Sequence, residues 1–144
     1  MAGILVPSET ANWTTFTPTF GNFTVGNGTV SAKYLKINKT LIFRIVFTWG
    51  STTSISSESY LNFPIAAASD AAAQGGIYSI TYQDTGSTTY NGMIQSVGTG
   101  SSTVRFGNPK GDGTYVYYGN NGSTAPFTWT TSDIIYFGGM YEVA

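Results

Sequence analysis

The sequence has neither histidine nor cysteine among its 144 residues. Without histidine, Ser–His–Asp and Cys–His catalysis, imidazole base chemistry and most zinc and transition-metal sites are excluded. Without cysteine there is no disulfide framework and no thiolate chemistry. No GxxxxGK(S/T) or GxGxxG motif follows a candidate strand, so a phosphate-binding loop is missing too. We therefore predict a protein without metal, cofactor or catalytic residues, and not an enzyme.

One enzymatic hypothesis remains, a glycosidase, which needs two carboxylates about 5–10 Å apart across a groove. The chain has seven acids, and Asp70, Asp84, Asp112 and Asp133 stand among turn residues. Aspartate is common in turns because it hydrogen-bonds its own backbone. We interpret these four acids as structural.

Charge is scarce as well. Charged residues make up 9% of the chain and the net charge is −1, whereas a typical domain has roughly 25% charged residues. Such a surface lacks the net charge of about 2–8 that keeps a small domain in solution. We expect much of it to be buried against copies of the chain or within a larger assembly.

The basic residues are too thinly spread to bind a polyanion. Four of the six lie between residues 33 and 44, but they are separated along the chain, and nucleic-acid binding needs a dense cationic face. No nucleic-acid partner is predicted. We expect instead that Lys33, Lys36 or Arg44 faces an acidic neighbour across a subunit contact.

Long apolar runs are absent. The run at residues 2–6 is too short for a signal peptide or a membrane span, so neither ordinary export nor membrane insertion is predicted. Residues 1–12 are interpreted as an N-terminal arm, or alternatively as a frayed tail, ahead of a single domain at residues 13–144. The residues predicted to dock on a neighbouring subunit or shell are Ile4, Leu5, Val6 and Pro7.

What the chain does have is strand-like alternation between turn residues. The clearest strand is "LIFRIVFTW", one face of which is wholly apolar while the other is mixed and meets solvent or a neighbouring subunit. The face predicted to meet the core comprises Leu41, Phe43, Ile45, Phe47 and Trp49. The "NKT" before Leu41 predicts a hairpin with the preceding strand.

Further strands are predicted at 60–65, 76–82, 90–97, 103–106, 115–118, 126–129 and 134–141. Residues 66–74 are predicted to form either a short helix or a loop. Eight to ten short strands at close spacing are typical of a sandwich or jelly roll. The predicted fold class is therefore an all-β, antiparallel, jelly-roll-like β-sandwich.

A carbohydrate-binding interpretation starts from "DGTYVYYGNNGST", because sugars need flat aromatic platforms with hydrogen-bonding groups nearby. The candidate glycan contacts are Tyr115, Tyr117, Tyr118, Asn120 and Asn121. In the alternative interpretation Tyr115 and Tyr117 point to the core and Tyr118 to a subunit contact.

Four elements occur in a suggestive order: "WTTFTP" with Trp13, Phe16 and Pro18, then "VSAKYLKINKTLIFRIVFTWG", "LNFPIAA" and a closing "FTWTTSDIIYFGGMYEV". This order resembles the small β-sandwich surface proteins of tailed bacteriophage particles, which occur as tail-fibre heads and as stand-alone surface proteins. The resemblance implies a non-enzymatic homotrimer on the virion surface, assembled in the host cytoplasm.

Two roles follow from the resemblance. Without a shaft segment, a capsid decoration or cement protein is favoured, with the major capsid or a tail protein as partner. The alternative is a tail-fibre or receptor-binding head whose loop at residues 115–124 contacts a host glycan. A carbohydrate-binding module independent of any particle is the competing hypothesis.

Overall fold

The structure is a computed structural model that describes residues 12–69, 76–96 and 100–144. Within these ranges it has eleven strands and no helix. The strands are β1 (Thr14–Thr15), β2 (Phe20–Thr24), β3 (Thr29–Ile37), β4 (Thr40–Thr48), β5 (Ser54–Asn62), β6 (Ile77–Gln83), β7 (Thr89–Asn91), β8 (Met93–Ser96), β9 (Thr103–Gly111), β10 (Val116–Asn120) and β11 (Ile134–Glu142).

All strand pairs are antiparallel and form two sheets. The larger sheet has the order β1-β3-β4-β11-β6-β7, and the smaller has the order β10-β9-β5-β2 with β8 also paired to β9. The sheets enclose a common hydrophobic core, which confirms the predicted all-β antiparallel sandwich. The predicted β3–β4 hairpin is present, and Asn38 in its two-residue turn has a φ of 53°, as such turns require.

Strand β4 has the predicted alternation. The side chains of its apolar face are in the core, Leu41, Phe43, Ile45 and Phe47 being fully buried and Trp49 nearly so. Opposite them, the core receives Ile55, Leu61, Val104 and Phe106 from the smaller sheet. Each fully buried side chain of this size stabilises the fold by about 1.5–3 kcal/mol relative to an exposed one.

Residues 126–129, predicted as a strand, instead belong to the loop between β10 and β11. Their apolar side chains enter the core from this loop rather than from a ladder. The indole of Trp129 stacks on that of Trp49 with ring centroids 4.6 Å apart, and Phe127 packs against Trp129 at 4.4 Å. The alternation of apolar residues is therefore explained by aromatic packing and not by a strand.

Buried polar groups join the two sheets. The Tyr82 hydroxyl of β6 donates to the carbonyl of Gly107 in β9 at 2.7 Å, and the Asn121 amide donates to the Tyr82 hydroxyl at 3.2 Å. Burial raises the pKa of Tyr82 above its ordinary value, so the phenol stays protonated and able to donate. These bonds fix the position of β9 over the larger sheet.

Two predictions concern residues outside the described ranges. The arm residues Ile4, Leu5, Val6 and Pro7 fall there, and so do residues 70–74 of the segment predicted as helix or loop. The first part of that segment, residues 66–69, is not helical.

Candidate functional site

The outward side chains of β3, β4, β6 and β11, together with Trp13, form a surface that we call the large-sheet face. Because successive strand residues point to opposite sides, the alternation that fills the core also turns a second set of apolar side chains outward. Side by side across four strands the register places Leu35, Ile42, Met140 and Ile77. Met140 is 41% exposed and Ile77 68% exposed.

The adjacent row of this face is cationic. Lys33 of β3 pairs directly with Arg44 of β4, and Arg44 pairs with Gly138 of β11. Like charges in directly opposite positions are unfavourable in a sheet. Between Arg44, Ser79 and Tyr136 the missing side chain of Gly138 leaves a recess of about 210 Å³, which we call the Gly138 recess.

The fold itself does not require glycine at position 138. A Cβ there would meet only the backbone oxygen of Phe43, at an ordinary contact distance of 3.8 Å. At the neighbouring Gly139, by contrast, a Cβ would lie 2.3 Å from the backbone oxygen of Ile77. Glycine at 139 is needed for packing, whereas glycine at 138 only keeps the recess open.

Among the described residues, the one ion pair joins Glu58 and Arg105, 3.8 Å apart. Lys33 and Arg44 therefore have no carboxylate partner in this part of the chain, although the Lys33 ammonium lies 5.0 Å from the centre of the Trp13 ring. Lys36 occupies the register position opposite Leu41, on the other side of the sheet. The three basic residues predicted at a subunit contact thus divide into a pair and a single residue.

The second exposed apolar surface is the end of the β9–β10 hairpin. Tyr115 and Val116 are each 73% exposed, and Tyr117 is 48% exposed. The turn is held by Asp112, whose Oδ1 accepts the backbone N–H of Tyr115 at 2.8 Å and that of Thr114 at 2.9 Å. The N–H of Tyr115 and then that of Thr114 lower the pKa of the Asp112 carboxyl, so the exposed tip, residues 112–117, keeps its negative charge.

The candidate glycan contacts do not form one platform. Tyr115 and Tyr117 are exposed, so the alternative that buries them in the core is wrong. Tyr118 points to the other side of β10 and covers Gly107, and Asn120 is exposed. Asn121 is buried, and its amide also donates to the carbonyl of Phe106 at 3.1 Å. Asn121 therefore belongs to the core, where its amide hydrogen-bonds Tyr82 and β9.

A groove of about 540 Å³ lies at the edge of the sandwich, between β7, the base of the β9–β10 hairpin and the loop after β10. Its aromatic wall is Tyr90, which stacks on Phe127 at 5.1 Å. Its lining residues are Thr89, Tyr90, Asn91, Asn108, Pro109, Ala125 and Pro126. An aromatic wall with amide and hydroxyl groups is suited to a small polar ligand such as a sugar.

On the outward side of the smaller sheet, which we call the small-sheet face, tyrosine rings cover the glycines. The ring of Tyr60 lies over Gly21, where a Cβ would be 1.9 Å from the ring, and Tyr118 lies over Gly107 in the same way. A hydrogen-bonded chain runs from Thr103 of β9, whose hydroxyl donates to Asn62 of β5 at 2.6 Å, to Thr19 just before β2, which accepts from Asn62 at 2.7 Å.

The carboxylates that the structure describes bind backbone N–H groups, pair with Arg105 in the case of Glu58, or stand apart. The buried carboxylate of Asp133 accepts the N–H of Thr85 at 2.9 Å and that of Thr130 at 2.6 Å. Within residues 12–69, 76–96 and 100–144, no three acids come together where they could hold a metal ion. The same residues include no helix of the length and apolar character that a membrane crossing requires.

Sequence reasoning does not find Gly138 or Tyr90. The sole signal for Gly138 is a glycine inside a strand pattern, which marks close backbone approach or missing bulk without distinguishing them. No family model, curated protein or solved structure matches the chain. The resemblance to phage surface proteins therefore remains a prediction.

Proposed function

We propose that this protein is a non-enzymatic structural protein that assembles with copies of itself on the outer surface of a tailed bacteriophage particle, as a capsid decoration or cement protein. One observation supports the proposed self-association. All the exposed large hydrophobic side chains of the described residues lie on two surfaces, the large-sheet face and the end of the β9–β10 hairpin: Trp13, Ile37, Ile77, Tyr136 and Met140, and Tyr115, Val116 and Tyr117.

Concentration of exposed apolar groups in this way is typical of interaction surfaces, since scattered single residues are the norm on monomers. The low charge of the chain supports the same function, because a net charge of −1 does little to keep copies apart. The particle-surface setting rests on the sequence resemblance. A homotrimer is the assembly that the resemblance implies.

The assembly is tested by measuring the mass of the purified protein by light scattering over a range of concentrations. We expect a defined oligomer, and a shift to monomer in the double variant Ile77→Lys with Met140→Glu. The matched control is Ser54→Lys with Ser56→Glu, which places the same charges on β5 in the smaller sheet. A wild-type protein that stays monomeric at every concentration would overturn the proposal.

The particle setting needs a separate measurement. Mass spectrometry of purified particles should find the chain in many copies, and gold-labelled antibodies should decorate the shell for a decoration protein or the tail tip for a fibre head. Absence from particles would remove the virion assignment and leave the self-association intact.

Glycan binding is a second candidate function, favoured by the groove beside Tyr90 and by the exposed Tyr117. A glycan array provides the test. Binding lost in Tyr90→Ala would assign the sugar to the groove, and binding lost only in Tyr117→Ala would assign it to the hairpin. No binding in the assembled wild-type protein would reject this candidate.

A further inference from the structure

We propose that the tip of the β9–β10 hairpin of one copy docks against the large-sheet face of the next copy, beside the Gly138 recess. This inference rests on the proposed self-association and names its partner surfaces. The contact joins two different parts of the chain and is heterologous, since each copy docks its tip on one neighbour and receives the tip of another.

Charge complementarity selects the partner. The large-sheet face carries Lys33 and Arg44 side by side without a carboxylate among the described residues. The hairpin tip carries Asp112, exposed and ionised, held in a fixed position by two backbone N–H groups. A carboxylate placed between the two cations would relieve their mutual repulsion, which nothing described within one copy does.

The apolar parts are complementary as well. Tyr115 and Val116 at the tip expose most of their surface, and a second copy offers the apolar row beside Arg44, with Met140 and Ile77 at its exposed end. Burial of both would remove from water the two surfaces that hold the exposed apolar side chains. Each buried Å² of apolar surface contributes about 25 cal/mol to association before ordering costs are subtracted.

The Gly138 recess gives the contact its shape. Its volume of about 210 Å³ leaves room for a protruding side chain. Since the backbone accepts a Cβ at position 138, filling the recess tests docking without disturbing the fold. Gly138→Val should therefore dissociate the oligomer without lowering the unfolding midpoint of the monomer.

A heterologous contact closes into a ring when the rotation between copies permits it, and otherwise continues as a chain. A ring of three copies would satisfy every tip and every face. Because tip and face are distinct, they can be altered separately, and two altered chains can complement each other.

The decisive experiment uses two variants of the full chain, analysed by native mass spectrometry. The face variant is Lys33→Glu with Arg44→Glu. The tip variant is Asp112→Asn with Thr114→Lys, in which the amide oxygen at 112 still holds the turn. Each alone should associate roughly tenfold or more weakly than wild type, as expected when close charge pairs are lost. A mixture should recover association, because each altered tip then meets a face of opposite charge.

Closed rings in the mixture should contain an even number of copies, with no ring of three, since the two variants must alternate around the ring. The control, Lys36→Glu with Lys39→Glu, changes the net charge equally but does not alter Lys33 or Arg44, and it should associate as wild type does. Two outcomes would overturn the inference: wild-type association in the face or tip variant, or no recovery in the mixture. In either case an oligomeric wild type would still support the proposed function, whereas a monomeric wild type would reject both.

Discussion

The two outer faces of the sandwich are built from the same strand alternation, yet they differ in whether their charged side chains are paired within one chain. On the small-sheet face, Tyr60 and Tyr118 lie over glycines, and Glu58 pairs with Arg105. On the large-sheet face, Lys33 and Arg44 repel each other beside an open glycine recess. The small-sheet face thus pairs its charged groups within one chain. On the large-sheet face Lys33 and Arg44 lack a carboxylate partner in the described structure, and we infer that a second chain supplies one.

Glycines on the two faces should respond in opposite ways, and the largest effect is expected at Gly107. A Cβ there would lie 2.1 Å from the backbone oxygen of Gly119, so β9 and β10 would have to separate. We expect Gly107→Ala to reduce the free energy of unfolding by about 2–3 kcal/mol, measured by urea denaturation. An unchanged midpoint would mean that the small-sheet face is not closely packed at this point.

The hydrogen-bonded chain on the same face should have the next largest effect. Asn62→Ala removes the bonds to Thr19 and Thr103 and leaves both hydroxyls without this partner. We expect a loss of about 1–2 kcal/mol in the free energy of unfolding. The oligomer should be unaffected, and dissociation of this variant would contradict the separation between a structural face and an assembly face.

At Gly138 substitution by alanine should change the free energy of unfolding in the opposite direction. Alanine there meets no obstacle and restricts the unfolded chain, so the monomer should gain about 0.5–1 kcal/mol. Association should weaken because the recess is partly filled. Denaturation of the dilute monomer and light scattering at high concentration check the two halves. A destabilised monomer would show that this glycine serves packing.

Tyr118→Phe should produce the smallest effect at neutral pH. The Tyr118 hydroxyl is buried and, within the described structure, lacks a hydrogen-bond partner, so its removal should change stability by less than about 1 kcal/mol. Burial raises the pKa of Tyr118. A group with a raised folded-state pKa contributes its stability below the unfolded value, near pH 10, and loses it as pH rises further. The phenylalanine variant should therefore resist alkaline unfolding better than wild type, in urea titrations on either side of that pH.

The sequence is sufficient to predict strand β4 because its apolar residues alternate without interruption. Strand β5 begins well before the predicted 60–65, since "SISSES" has too few apolar residues to mark a face. Residues 126–129 show the reverse error, aromatic residues whose core packing needs no strand. The spacing of apolar residues indicates which side chains are buried. Pairing in a β-sheet is only one way in which such side chains become buried.

The candidate surfaces are harder to predict than the fold. Lys33 and Arg44 follow from their hairpin, but the position of Gly138 beside Arg44 depends on the pairing of β4 with β11, which lie far apart in the sequence. The groove beside Tyr90 likewise joins β7 to the base of the β9–β10 hairpin. Local pattern cannot supply such pairings, because they are decided by the packing of the whole sandwich.

Strand β9 has one further consequence. Its first part pairs with β5 on one edge and with β8 on the other, but beyond Gly107 it pairs only with β10. The hairpin is thus held on both edges only at its base, where the Tyr82 hydroxyl also donates a hydrogen bond to the backbone of β9. A sideways load applied at Asp112 would act through a lever arm on Gly107, and from there on the larger sheet. In an assembly whose copies are joined through this hairpin, a force on one copy would be transmitted to the core of its neighbour.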